Sequence, residues 1–193
     1  MEYSVSTLKT NTIQAATGTT LNITSGHKLT GAAGSIVAPG QVVQVVQTVY
    51  NGQATYSNSG STSDITGMTV TITPKSASNK VMITCQLSYS TNTDGCGNLI
   101  ILLRGSTVLG GQTNGTSVNG WFGLINNNGQ ANGAGQLYMA GGEFLDSPNT
   151  TSATTYKLQH HGVGGTTPFI HNKQSGTTAL AGISTLTAME IAG

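Results

Sequence analysis

Six carboxylates, seven basic side chains, four histidines and two cysteines are the groups this 193-residue chain offers for proton transfer, metal ligation or nucleophilic attack. The carboxylates, Glu2, Asp64, Asp94, Glu143, Asp146 and Glu190, are dispersed. No two have the spacing of an acid/base couple, and no cluster presents oxygen ligands to a hard cation. No Gly-x-Ser-x-Gly elbow occurs, and no acid stands in a recognisable relation to a histidine, so a serine would lack its activating partners. Gly162-Val-Gly-Gly165 lacks the lysine and the strand-to-helix setting of a phosphate loop and reads as a turn. The chain is expected not to be an enzyme.

His27, His160, His161 and His171 are the remaining soft ligands. Neighbours on a strand point to opposite faces, so His160 and His161 do not share one ion within a chain. Three copies of one histidine around a symmetry axis would be the alternative. Neither a metal nor a cofactor is expected. Cys85 and Cys96 are too few for a disulfide framework and have no zinc spacing. They are expected to be reduced, structural thiols, although a hairpin-spanning bridge is open to them.

Charged residues make 7% of the chain and the net charge is +1, against roughly 25% in an ordinary soluble domain. Phosphate recognition needs a surplus of lysine and arginine, so nucleic acid is excluded as a partner. No apolar run reaches the length of a membrane span, and Met1-Glu2-Tyr3-Ser4 does not begin a secretory signal. Assembly in a cytosol is expected. Gly, Ser, Thr and Asn supply nearly half of the residues, which leaves a lean core. A lean core gains from burial against neighbouring subunits.

Residues 1–40 and 41–193 read as two parts divided at Pro39-Gly40. In the first, Leu8, Ile13, Leu21 and Ile23 are spaced among Thr, Ser, Ala and Gly. Such a thin apolar strip is buried when identical copies face one another, as in an extended β stem or anchor. A flexible arm is the plain alternative.

In the second part, Val42, Val45, Val46 and Val49 fit a helical face, but β-branched residues favour a pleated strand over 41–50. Met68–Thr73 alternates. Val81, Ile83, Cys85, Leu87 and Tyr89 share one face of the next strand, and Leu99–Leu103, apolar on both faces, predicts a central strand covered on both sides. Further strands are expected at Thr107–Leu109, Trp121–Ile125, Gln136–Ala140, Thr154–His160 and Gly182–Ile191, with Asn-Gly turns at Asn51, Asn114, Asn119, Asn128 and Asn132. About eight short strands without an amphipathic helix predict an all-β, jelly-roll-like antiparallel β-sandwich knob, with other Greek-key sandwiches open.

Five segments in order, Pro39–Val45, Ile72–Val81, Leu102–Thr107, Phe144–Pro148 with Thr154–Lys157, and Leu186–Ile191, resemble the C-terminal domain of tailed-phage fibre proteins. The lead Leu8–Ile13 and Leu21–Thr24 is similar to the one that often precedes such domains. The resemblance implies a homotrimeric component of the virion surface, assembled in the host cytoplasm. It would be a short tail fibre or tail-tip protein that contacts other virion proteins through its N-terminal segment and a host cell-surface glycan through its knob. A capsid-surface head fibre or decoration protein is the alternative. A glycan-depolymerising tail spike is disfavoured by the scarcity of carboxylates.

For receptor binding, Trp121 and Phe122 together with Asn126, Asn127 and Asn128 are the candidates, since loop amides beside an aromatic face suit a sugar. The plainer reading makes the two aromatics core residues of a strand.

Overall fold

The computed structural model describes residues 25–31, 36–57, 60–91, 96–114, 117–126, 137–163, 169–172 and 180–193. The chain divides into two compact units, Met1–Ile36 and Val37–Gly193. Leu8, Ile13, Leu21 and Ile23 of the expected stem lie outside the described residues.

The second unit has twelve strands among its described residues: β1 (Val42–Tyr50), β2 (Ala54–Tyr56), β3 (Thr62–Ile72), β4 (Lys80–Thr91), β5 (Cys96–Arg104), β6 (Thr107–Asn114), β7 (Ser117–Gly120), β8 (Phe122–Asn126), β9 (Tyr138–Asp146), β10 (Thr154–Val163), β11 (Phe169–His171) and β12 (Ser184–Ile191). All pairings are antiparallel. One sheet runs β1, β12, β4, β9, with β2 and β11 continuing β1 and β12 along the same side of β4. The other runs β3, β10, β5, with β6 and β8 sharing the far edge of β5.

Taking β1 with β2, β6 with β8, and β11 with β12 as interrupted strands, and β7 as a return strand hairpinned on β6, leaves eight principal strands. Their order across the two sheets is that of a jelly roll.

The alternating residues form the core. Met68, Val70 and Ile72 of β3 meet Val81, Ile83, Cys85 and Leu87 of β4, with Ile100 and Leu102, Leu158, and Leu186 and Ala188 from β5, β10 and β12. β5 is the central strand that its apolar run predicts, for Ile101 and Leu103 on its outer face are buried as well.

Several boundaries differ from the sequence expectation. β3 begins six residues before Met68 because Gly67, with φ +78°, bends the strand without ending it. β9 runs on to Asp146 through Gly141-Gly142, held by a continuous register with β4. Asn119-Gly120 lies inside β7, and Asn51-Gly52 lies in the break between β1 and β2. In β12 the face bearing Met189 and Ile191 turns outward, and Leu186, Ala188 and Glu190 turn inward.

Candidate functional site

Two of the carboxylates are committed to buried clamps. Glu190 is wholly buried. Asn79 Nδ2 and the Lys75 backbone N–H donate to its Oε1 at 2.6 Å each, and Gln44 Nε2 donates to Oε2 at 2.5 Å. Burial alone would raise this carboxyl, but hydrogen bonds from Asn79, Gln44 and the backbone of Lys75 and Ser76 hold it below the usual range. Asn79 Oδ1 in turn accepts from the Gly193 backbone N–H at 3.2 Å.

Asp146 closes the second clamp. Arg104 Nη1 donates to both of its oxygens at 2.8 Å, and the buried Tyr156 hydroxyl donates to Oδ2 at 2.7 Å. Burial and the neighbouring carboxylate raise the Tyr156 hydroxyl well above its ordinary value. This clamp joins β5 and β10 of one sheet to β9 of the other.

Both clamps stand at the end of the sandwich where the chain enters β1. There β3, β5, β9 and β12 end and β4 and β10 begin. The resembling segments Ile72–Val81, Leu102–Thr107, Phe144–Pro148, Thr154–Lys157 and Leu186–Ile191 supply nearly all of the clamp residues. These motifs therefore hold this end of the sandwich together. The sequence showed the motifs and not their partners, because each contact joins residues far apart in the chain.

At the other end the interior is polar. His171 Nε2 lies 2.8 Å from Ser184 Oγ, which accepts the Ser88 backbone N–H at 2.9 Å and donates to Asn172 Oδ1 at 2.6 Å. With its single proton given to Asn172, the hydroxyl must accept from His171. The imidazole is then the neutral Nε2–H form and does not act as a base toward this serine. Asn172, at φ +56°, also donates to the Tyr50 and Gly52 carbonyls where the first strand is interrupted. His160 points inward onto Asn98 Oδ1 at 2.6 Å, while His161 points outward to Thr62. The opposite orientations expected of the histidine pair are thus observed. Burial pushes His160 and His171 down to about 4, with His161 adding to the effect on His160.

Cys85 is a free, buried thiol, pushed up to about 12 by burial and so poorly suited to nucleophilic attack. Asp64 is bound by Lys157 Nζ and Gln159 Nε2 at 2.9 and 2.7 Å, and these two hold it below the usual carboxylate range. Among the described residues no three His, Cys, Asp or Glu side chains come together.

Trp121 and Phe122 are half-buried and pack against the core, their rings 5.3 Å apart. A Cβ at Gly110 of β6 would stand 2.7 Å from the Trp121 ring, and one at Gly142 of β9 would stand 3.0 Å from it. The indole therefore fills the gap between the edges of the two sheets. Asn126 ends β8, and Asn127 and Asn128 lie outside the described residues.

The surface that sequence reasoning missed is the outer face of the β1–β12–β4–β9 sheet. A concavity of about 710 Å³ opens there, lined by Gln47, Thr84, Gln86, Glu143, Thr185 and Thr187, with Met139 beside them. Gly141 leaves it unfilled at the position paired with Gln86. Amides, hydroxyls and one carboxylate can hydrogen-bond a ligand or water here. A lone carboxylate does not make an acid/base couple. Next to the concavity, Val45, Met189, Met82 and Leu145 form one row across the four strands, through the pairs Val45↔Met189, Met189↔Met82 and Met82↔Leu145.

No family model and no curated protein matches the chain. Among solved structures it is similar to that of infectious bursal disease virus Gt strain (13% identity, TM-score 0.42), covering 86% of this chain and 43% of that one. A second is the VP2 subviral particle of infectious bursal disease virus (15% identity, TM-score 0.40), covering 86% and 42%. The chain spans less than half the length of either.

Proposed function

We propose that this chain is a structural protein of a virion: a short homotrimeric fibre or tail-tip component whose N-terminal segment anchors it and whose β-sandwich knob takes part in host-surface attachment. The observation that carries the reading is the pair of clamps at the base of the knob. They cross-link both sheets and the chain's last strand at the end where the N-terminal segment joins, as a projection that transmits force through a stem requires. The residues that form them are those by which the sequence resembles phage fibre heads.

The reading is non-enzymatic. Glu190 and Asp146 are occupied inside the clamps, Asp64 is tied to Lys157 and Gln159, and Glu143 has no second carboxylate beside it in the concavity among the described residues. The protein acts by multiplied weak contacts from a nearly uncharged surface. Competition tests it: the purified full-length chain, added to host cells before the virus that encodes it, should slow adsorption in a dose-dependent way. Unchanged adsorption at saturating protein would remove the attachment role.

A further inference from the structure

We propose that the outward row Val45, Met189, Met82 and Leu145 is where the copies meet, closing into an apolar ring about the threefold axis against second and third copies of this chain. The inference rests on the trimeric reading above and adds to it the face and the residues.

The two outer faces of the sandwich differ. On β3 and β10 the outward residues make polar pairs, Thr71 with Thr155, Thr62 with His161, and Lys157 and Gln159 with Asp64. On the opposite sheet, Val42, Val45 and Val49 of β1 and Met139 and Leu145 of β9 stand 47–63% exposed. On the strands of the other sheet only Val108 of β6 is comparably exposed among the described residues, so the exposed apolar side chains are gathered chiefly on one face, as on a contact surface.

Three observations select another copy as the occupant. First, the row carries no charge on any strand. Side chains close to a threefold axis lie near their own equivalents, so a charge in the middle of the row would meet like charge, while the two ends of the row meet each other between copies. The two charges on this face fall outside the row, Lys80 one step toward the base and Glu143 one step away from it.

Second, the dimensions close. The row crosses the strands at a single level, so three copies with strands along the axis bring three rows to one height. Four strands have three spacings of about 4.8 Å, so the row spans about 14 Å. One further spacing for the contact with the next copy gives a side of about 19 Å, and a triangle of that side leaves about 5.5 Å from each face to the axis, the reach of a leucine or methionine side chain. Leu145 at one end of the row then abuts Val45 of the next copy.

Third, the chain enters on this side. Val42, the first residue of β1, pairs with Ile191 one step toward the base from the row and stands 47% exposed on this face. The concavity on the other side of the row, lined by Thr84, Thr185, Thr187 and Glu143, would face the axis as a polar, water-holding space that keeps the Glu143 carboxylates hydrated.

The test measures the native mass of the full chain as wild type, as Leu145→Glu, and as Thr69→Glu on the outer face of the other sheet. It also oxidises the double variant Val45→Cys, Leu145→Cys. A trimeric wild type, a monomeric Leu145→Glu that keeps its strand circular dichroism, an unaffected Thr69→Glu, and a covalent trimer that neither single-cysteine variant yields are the expected results. A wild-type trimer that survives Leu145→Glu, with no covalent trimer from the cysteine pair, overturns this face and leaves the trimer standing. A wild-type monomer overturns the trimeric reading and the ring together. Should Leu145→Glu fail to fold, the cysteine pair decides alone.

Discussion

Glu190 and Asn79, 111 positions apart in the chain, share a buried 2.6 Å hydrogen bond that fastens the last strand to the β3–β4 turn. Glu190→Ala removes the acceptor from Asn79, Lys75 and Gln44 at once. The stranded donors should cost about 3 kcal/mol of stability, read by chemical denaturation. Because the folded carboxyl is depressed, its contribution is full above the unfolded value and is lost as pH falls through the folded one. The deficit of the variant should therefore shrink in acid. An equal deficit at neutral pH and in strong acid would contradict the clamp.

Tyr156 and Arg104 act on one carboxylate from two strands. Tyr156→Phe keeps the ring and deletes the 2.7 Å bond to Asp146, and should cost about 2 kcal/mol. Combined with Asp146→Asn, the two losses should fall short of additive by about 1 kcal/mol or more in a double-mutant cycle. Strict additivity would mean that the two groups do not interact.

The buried histidines predict an acid limb that starts early. His160 and His171 stay neutral in the folded chain down to about 4, while unfolded histidine takes up its proton near 6.5. Above 6.5 neither state is protonated and stability is flat. From there down to about 4 the unfolded state binds more protons, and stability should fall by up to about 1.4 kcal/mol per pH unit for each histidine. His160→Asn or His171→Asn should each remove about half of that slope. A flat stability between pH 7 and pH 5 would contradict the burial of both rings.

Trp121 serves here as the plug between the sheet edges. Gly110→Ala places a Cβ against the indole and should destabilise the knob by about 1–3 kcal/mol while shifting the tryptophan emission to the red. Unchanged emission and stability would release Trp121 from this role and return it to the surface.

The strands with strict alternation, β4 above all, were legible in the sequence, since a two-residue period with one buried face admits few alternatives. So was the covered strand β5, whose Ile101 and Leu103 leave no polar face to expose. The continuation of β9 through Gly141-Gly142 was not legible. Glycine carries no pattern of its own there, and the strand is fixed by its partner β4. The clamps were visible only as motifs, because Asp146 is meaningless without Arg104 and Tyr156, which the topology alone brings together. The outer row was hidden for the same reason: Val45, Met82, Leu145 and Met189 lie on four strands and become one feature only in register.

The most direct measurement is electron cryo-microscopy of intact particles of the encoding virus, decorated with antibody fragments raised against residues 37–193. The account predicts fragments bound to threefold projections on the particle exterior, whether at the tail or on the capsid. Undecorated particles, with the protein found only in the soluble fraction of infected cells, would contradict it.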